Sequence, residues 1–235
     1  MTELTYHSDS YVREFDAQVL GSGPAGVVLD RTAFYPGGGG QPCDQGSLEA
    51  GSHTWPVSGV RKENAVVVHS CGDHPPAAGV RLRGRLNWDR RYALMRVHTA
   101  LHVLCGVIWR DYAAHVTGGN MDVLRARMDF EFENMHQALV REIEARANRE
   151  VEMAREVRVR LLPRQEALAI PDLIRTKVNL LPEGLREIRV VEIVGLDLQA
   201  DGGTHLANTR EVGTIRIVDY KSKGRINKRL EIALE

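Results

Sequence analysis

The sequence predicts an α+β protein with two domains: a small N-terminal β-barrel, and a second domain in which helices pack on an antiparallel sheet. Short β-rich runs separated by glycine-rich turns fill the chain as far as residue 87. A long amphipathic helical pattern follows at 88–110. Strands and helices then segregate instead of alternating regularly, which is typical of the α+β class. We therefore place the domain boundary near Asn87 and predict domains at 1–87 and 88–235.

The N-terminal domain is predicted from runs of β-forming residues bounded by turn residues. The segments GSGPAG, PGGGGQP, EAGS and CGDHPP combine the glycine, proline and polar residues that favour turns. The predicted strands between them are 15–20, 27–29, 55–60, 65–69 and 80–86. Strands at this spacing are typical of a small closed or nearly closed barrel.

The second domain begins with the clearest helix in the sequence. Apolar residues recur at steps of three and four from Leu94 to Ile108, and Asn87 directly precedes the helix as a favourable N-cap. Alternation in MDFEFE predicts the next strand. The remaining predicted elements are strands at 123–132, 156–162, 186–193, 212–220 and 228–234, and a helix at about 134–148.

Composition indicates an ordinary globular protein. The 235 residues carry 31 basic and 31 acidic side chains, and 43% of the residues are hydrophobic, which excludes a disordered chain. We find no apolar run of about 18 residues and no signal peptide, so we expect no membrane association. Three cysteines are too few for a disulfide framework and fit a reducing compartment. We therefore expect a cytoplasmic protein, and the sequence leaves its oligomeric state open.

Arginine dominates the basic residues, since only five of the 31 are lysines. Basic side chains concentrate in two segments, 81–96 and 221–229. Because arginine binds phosphate through a planar fork of donors, these segments predict local contacts with a nucleic-acid backbone. The alternative is that both segments are ordinary solvated surface.

Two pairs of potential metal ligands share a four-residue spacing. His98 and His102 lie on the predicted helix, where this spacing places both rings on one face. Asp201 and His205 lie far downstream, around two glycines that permit a tight turn. Zinc sites are commonly built from separated ligand pairs of this kind, so we predict a metal site at His98, His102, Asp201 and His205.

Two alternatives to this ligand set stay open. Asp201 is also suited to capping a turn, and His205 to a buried position with its ring hydrogen-bonded. Cys105, three residues after His102, is a rival fourth ligand, although a free cysteine is usually a small buried apolar residue.

Four stretches resemble the AlaX family, the free-standing relatives of the editing domain of alanyl-tRNA synthetase. They are LDRTAFYPGGGGQPCDQG at 29–46, HTALH at 98–102, DLQADGGTHLANTREVG at 197–213 and YKSKGRINKRLEIAL at 220–234. The N-terminal domain with its glycine motif resembles the medium-length type of this family. The resemblance implies that 88–235 is the editing domain, with a core shared with the editing domain of threonyl-tRNA synthetase.

The resemblance implies a trans-editing hydrolase that removes serine or glycine from mischarged alanine tRNA. A synthetase pocket built for a methyl side chain rejects neither amino acid strongly, so a second site must remove the errors. The implied cofactor is Zn²⁺ and the implied partner is the acceptor end of the tRNA. In the family a cysteine usually stands where this chain has Asp201. A carboxylate keeps the charge but is a harder ligand, so another divalent ion is possible here.

The resemblance also implies roles for residues outside the ligand set. Thr32 occupies the position that the family uses to recognise the serine hydroxyl. The implied substrate-binding residues are Thr32, Gly38, Gly39, Gly40 and Gln41. Gln199, beside the ligand loop, is a candidate for positioning water or the amino acid. Without the resemblance, Thr32 is an ordinary strand end and the glycines are a wide turn.

The sequence favours direct attack by water over a covalent intermediate, because no nucleophile motif such as GxSxG is present. No P-loop is present either, so we expect no ATP binding. Two other functions stay open: a relative that has lost catalysis and only binds tRNA, or a metal hydrolase of another ester or amide.

Overall fold

The chain forms two compact units, Met1–Ala93 and Leu94–Glu235. The computed structural model describes residues 2–63, 66–176, 181 and 184–235. The boundary between the units falls inside the first long helix instead of at Asn87. The assignment of 1–87 and 88–235 as separate domains stays a prediction.

The first unit consists mainly of short antiparallel strands. These are β1 (Glu3–Leu4), β2 (Glu14–Gly23), β3 (Gly26–Leu29), β4 (Arg31–Thr32), β5 (Gly46–Ala50), β6 (His53–Val57), β7 (Gly59–Glu63), β8 (Val66–Ser70) and β9 (Arg81–Leu86). Seven of them form one sheet in the order β6-β5-β9-β2-β3-β8-β7, and β1 pairs with β4 in parallel. No pairing joins the outermost strands β6 and β7 within the described residues. Closure into a barrel therefore stays a prediction.

The predicted strands 15–20, 27–29 and 80–86 are confirmed as β2, β3 and β9. The predicted strand 55–60 is wrong as one element, because the chain turns at Ser58 between β6 and β7. The predicted strand 65–69 corresponds to β8, and its first residue, Ala65, lies outside the described residues. Strand β5 was missed because its only large apolar side chain is Leu48, which is fully buried between two neighbouring strands.

The second unit combines two antiparallel sheets with three helices, the first of which begins in the first unit. The elements are α1 (Trp88–Tyr112), β10 (Val116–Asp122), β11 (Arg125–Glu131), α2 (Gln137–Glu152), β12 (Val157–Pro163), α3 (Arg164–Leu168), β13 (Glu187–Ile193), β14 (Asp197–Ala200), β15 (Ile215–Ser222) and β16 (Asn227–Leu234). The sheets have the orders β10-β11-β16-β15 and β12-β13-β14. This mixed content, dominated by antiparallel sheets, agrees with the predicted α+β class.

Helix α1 confirms the predicted amphipathic helix and its cap. The Asn87 side chain accepts a hydrogen bond from the Arg90 backbone N–H at 3.1 Å. By length and composition this helix is able to cross a membrane, so the expectation that no such stretch exists is wrong. However, 83% of the apolar stretch is buried inside the protein, as in the core helix of a soluble protein. A cytoplasmic location stays a prediction.

The second unit departs from the predicted elements in three places. The predicted strand 123–132 corresponds to β11, which begins at Arg125 after a turn at Leu124, whose φ is 56°. Strand β10 was missed because two glycines interrupt its pattern. Strand β14 lies in the segment that the sequence predicts as part of the ligand loop. Helix α2 ends four residues after the predicted end at residue 148.

A buried ion pair fixes the segment that follows the glycine motif in the first unit. Arg91 and Asp44 are both almost fully buried and form a charge-assisted hydrogen bond. Arg91 also donates to the Ser10 carbonyl oxygen at 2.9 Å, and Asp44 accepts from the Tyr35 N–H at 2.6 Å. One guanidinium therefore ties together three separate stretches of the chain.

We predict that Arg91→Met lowers the free energy of unfolding by about 3–5 kcal/mol, because Asp44 keeps its charge in a buried position without a cationic partner. Urea denaturation measures this change. The matched control is Arg83→Met, which removes an arginine that is half exposed and paired with Glu14 and Asp16, at an expected cost of at most about 1 kcal/mol. Equal losses in the two variants would contradict the prediction.

Candidate functional site

The four predicted metal ligands come together in the second unit. Their ligand atoms all lie within 4.8 Å of one another, and His98, His102 and His205 are buried. Helix α1 supplies the first two histidines, whose ring centroids lie 5.2 Å apart on successive turns. The loop after β14 supplies Asp201 and His205.

The carboxylate of Asp201 lies at the centre of this group. Its Oδ2 lies 3.4 Å from His98 Nε2 and 3.9 Å from His102 Nε2, and its Oδ1 lies 3.2 Å from His205 Nε2. Tetrahedral zinc with bonds of about 2.0–2.1 Å requires ligand atoms about 3.3 Å apart. Three imidazole nitrogens and one carboxylate at these separations therefore fit a divalent cation.

The structure bears on two alternatives to the predicted ligand set: Asp201 as a turn cap and Cys105 as a rival fourth ligand. Asp201 does cap a turn, since its Oδ1 accepts from the Gly203 N–H at 2.6 Å. The second carboxylate oxygen still faces the histidines, so capping and ligation are compatible. Cys105 is not part of the ligand group. Burial raises the pKa of the Cys105 thiol well above its usual value, which disfavours the thiolate that binds metal.

The protonation of the group follows from its burial and its charges. Burial by itself lowers the pKa of His102, but hydrogen bonds to Asp197 and Asp201 outweigh it and raise this pKa to about 9. Burial and the nearby His98 lower the pKa of His205 well below its usual value. Burial raises the pKa of Asp201, but the three neighbouring histidines hold it well below its usual range. Asp201 is therefore ionised and able to act as a ligand.

Two of the predicted ligands, His102 and His205, each have a hydrogen-bond partner at Nδ1. His102 Nδ1 lies 3.1 Å from Asp197 Oδ2, and His205 Nδ1 lies 3.3 Å from Thr99 Oγ1. Thr99 also accepts from the Leu206 N–H at 3.1 Å, which joins helix α1 to the ligand loop. Sequence analysis missed both partners, although Asp197 opens the motif that contains Asp201.

The structure places Gln199 beside this group but directs its amide toward Asp197. Gln199 Nε2 donates to Asp197 Oδ2 at 2.6 Å. Gln199 lies on β14, one strand position from the ligand loop. The role predicted for it, positioning water or the amino acid, stays a prediction.

Thr32 lies in the first unit, on β4, with its side chain fully buried. Its Oγ1 lies 2.8 Å from His69 Nε2 and accepts from the Phe34 N–H at 3.1 Å. His69 Nδ1 lies 3.2 Å from the Val27 carbonyl oxygen and must donate to it, so Nε2 accepts the Thr32 hydroxyl proton. Burial lowers the pKa of His69 to about 4, so this histidine is neutral. No sequence signal indicated this pairing, which joins residues 37 positions apart.

The glycine motif forms a tight loop in the first unit. Four consecutive glycines, 37–40, have φ values of 81°, 136°, 57° and 87°, which side-chain-bearing residues rarely adopt. Gly38 and Gln41 exchange backbone hydrogen bonds of 3.0 and 2.9 Å across the loop. Gly38 and Gly39 are exposed, whereas Gln41 is buried. The loop therefore presents bare backbone to solvent.

In each basic segment, some of the cationic side chains are paired with acids. In the first, Arg83 and Arg85 lie within 3.6 Å of carboxylates, and Arg91 is buried. In the second, Lys221 pairs with Asp219 at 2.7 Å and Arg229 with Asp129 at 2.7 Å. A phosphate at either segment would compete with these carboxylates, and phosphate contact stays a prediction.

Two family models match the chain, one in each unit. A model described as tRNA synthetases class II (A) matches residues 7–90. A model described as threonyl and alanyl tRNA synthetase second additional domain matches residues 188–231. The second match contains the ligand loop.

Full-length relatives extend this similarity across the chain. The chain is 37% identical to alanyl-tRNA editing protein AlaX-M of Saccharolobus solfataricus over 98% of both proteins. It is 39% identical to the protein of that name from Methanosarcina acetivorans, over 100% of this chain and 99% of the relative. It is also 40% identical to the alanine–tRNA ligase of Ignicoccus hospitalis, over 94% of this chain but 24% of the ligase. The chain therefore belongs to the AlaX-M family of alanyl-tRNA editing proteins, which confirms the predicted family and the predicted editing enzyme.

Proposed function

We propose that this protein hydrolyses the ester bond of alanine tRNA mischarged with serine or glycine, at a metal site formed by His98, His102, Asp201 and His205. The observation that carries the proposal is the convergence of these four side chains, from a helix and a distant loop, to within 4.8 Å. The names of the relatives support alanyl-tRNA editing as the process. The partner is then the acceptor end of the tRNA.

The proposed reaction is a direct hydrolysis. Water adds to the ester carbonyl carbon, the bond from that carbon to the terminal ribose oxygen breaks, and the ribose oxygen takes up a proton from the water to become a hydroxyl. A bound divalent ion, Zn²⁺ in the first instance, supplies Lewis-acid chemistry for such a step. The protein's part is to hold the ligands in a buried cluster, with Asp201 ionised and His102 and His205 oriented from behind.

We propose that Thr32 recognises the serine hydroxyl. Its hydroxyl donates to His69 and accepts from Phe34, which leaves one lone pair on Oγ1 for a substrate O–H. Because the side chain is buried, a substrate hydroxyl reaches it only when neighbouring residues move. The exposed backbone of Gly38 and Gly39, with the half-buried Gly40 and with Gln41 closing the loop, is proposed to contact the aminoacyl end.

Gln199 is proposed to position water or the amino acid. Since its Nε2 donates to Asp197, this role falls to the side-chain carbonyl oxygen, which accepts hydrogen bonds. An acceptor suits either a water molecule or the substrate amino group.

The first prediction concerns the metal. Protein purified without added metal is expected to contain about one divalent ion per chain and to deacylate seryl-tRNA for alanine, and chelation is expected to remove both properties. Metal analysis and a deacylation assay measure them, with re-addition of Zn²⁺ as the control. No deacylation by metal-replete protein would favour the alternative of a relative that only binds tRNA. Full activity after chelation would contradict the role of the metal site but not the deacylase activity.

The second prediction uses the residue that departs from the family pattern. Asp201→Cys is expected to bind Zn²⁺ as tightly as the natural chain or more tightly, because a thiolate is a preferred zinc ligand. Asp201→Ala is the matched control and is expected to lose stoichiometric zinc. Zinc affinity is measured by competition with a chromogenic chelator. Retention of stoichiometric zinc in Asp201→Ala would show that residue 201 is not a ligand.

The third prediction tests Thr32. Thr32→Val is expected to lower kcat/KM for seryl-tRNA by about two- to tenfold, the value of one hydrogen bond, and to leave glycyl-tRNA nearly unchanged. Thr32→Ser keeps the hydroxyl and is expected to retain selectivity. Zinc content and thermal stability are compared in parallel. Equal losses on the two substrates would indicate a packing role for Thr32.

A further inference from the structure

Asp197 lies behind the metal ligands and has no part in the cluster itself. Its side chain is fully buried, and its Oδ2 lies 3.1 Å from His102 Nδ1. Asp197 opens β14 and pairs in register with Ile193, so the sheet fixes its position before any ligand binds. A buried carboxylate next to an imidazole determines which ring nitrogen carries the proton.

We propose that Asp197 is a positioning residue that holds His102 with Nδ1 protonated and Nε2 directed at the metal. An ionised carboxylate only accepts hydrogen bonds, so His102 Nδ1 must donate to it. His102 Nε2 then faces Asp201 Oδ2, 3.9 Å away, on the side of the proposed metal site. The proposal rests on the proposed metal site.

Two further side chains hold Asp197 in place. Gln199 donates to the same Oδ2 at 2.6 Å. The Arg175 guanidinium lies 3.6 Å from Asp197 Oδ1 and is packed over the Trp109 ring at 4.6 Å. These two contacts, one on each carboxylate oxygen, fix the orientation of Asp197 next to His102.

The approach of Asp197 to the helix requires Gly106, which lies one turn beyond His102 on α1. A Cβ at residue 106 would lie 3.0 Å from Asp197 Cβ and 2.8 Å from Leu196 Cγ. Any side chain there would push the start of β14 away from the helix. The absence of a side chain at Gly106 therefore allows the Asp197 carboxylate to pack against the helix next to His102.

The experiment compares the zinc affinity of the full chain with that of Asp197→Asn, measured by competition with a chromogenic chelator. We expect affinity about 10- to 100-fold weaker in Asp197→Asn, because the amide removes the negative charge behind His102. Glu192→Gln makes the same chemical change on the adjacent strand, at a residue paired with Arg160, and is expected to bind zinc like the natural chain.

The outcomes separate this proposal from the proposed function. If the natural chain binds no zinc, the metal site itself is wrong. If the natural chain binds zinc and Asp197→Asn binds it as tightly, only the role of Asp197 is overturned.

A measurement on the unmodified protein covers the case in which Asp197→Asn fails to fold. Long-range ¹H–¹⁵N spectra of the zinc-loaded protein are expected to show His102 protonated at Nδ1. Protonation at Nε2 would overturn the proposal.

Discussion

Charge has to be balanced around three buried imidazoles, and this requirement shapes the second unit. A divalent cation among His98, His102 and His205 would place two positive charges in a volume largely shielded from water, where unpaired charge is costly. Asp201 counters it directly and Asp197 counters it from behind His102. The strand, the loop and the helix that carry these residues are positioned so that each carboxylate reaches its histidine.

The first unit also balances buried charge, through the ion pair between Arg91 and Asp44. Arg91 and Asp44 are buried together, and their remaining hydrogen-bonding groups are satisfied by backbone atoms of Ser10, Ala33 and Tyr35. Within the glycine loop between Tyr35 and Asp44, the Tyr35 hydroxyl donates to the Gly38 carbonyl oxygen at 3.0 Å. Anchoring both of its ends allows it to hold four successive residues at positive φ.

The members of the four-residue cluster were predictable because each pair shares a local four-residue spacing, whereas the hydrogen-bond partners of the histidines were not. Four-residue spacing on a helix fixes the relation of His98 to His102 whatever the tertiary fold. Asp197 reaches His102 across 95 positions, and only the pairing of β14 with β13 brings it there. The difference between local and long-range information also explains which elements of the fold were predictable. Helix α1 was predictable from its local apolar period. Strand β5 has Leu48 as its only large apolar side chain, and it forms through pairing with neighbouring strands.

An aspartate at position 201, where the family resemblance implies a cysteine, would change more than the hardness of the proposed ligand. A carboxylate has two oxygens, and here Oδ1 accepts the Gly203 N–H at 2.6 Å while Oδ2 faces His98. One side chain thus closes the glycine turn and belongs to the cluster that could hold a metal ion, two tasks that a single sulfur atom would have to combine. The negative charge that balances a cation is retained, so the electrostatic contribution survives. The selectivity of the proposed site for zinc over other divalent ions would be weaker, because oxygen ligands accept a wider range of divalent ions than sulfur does.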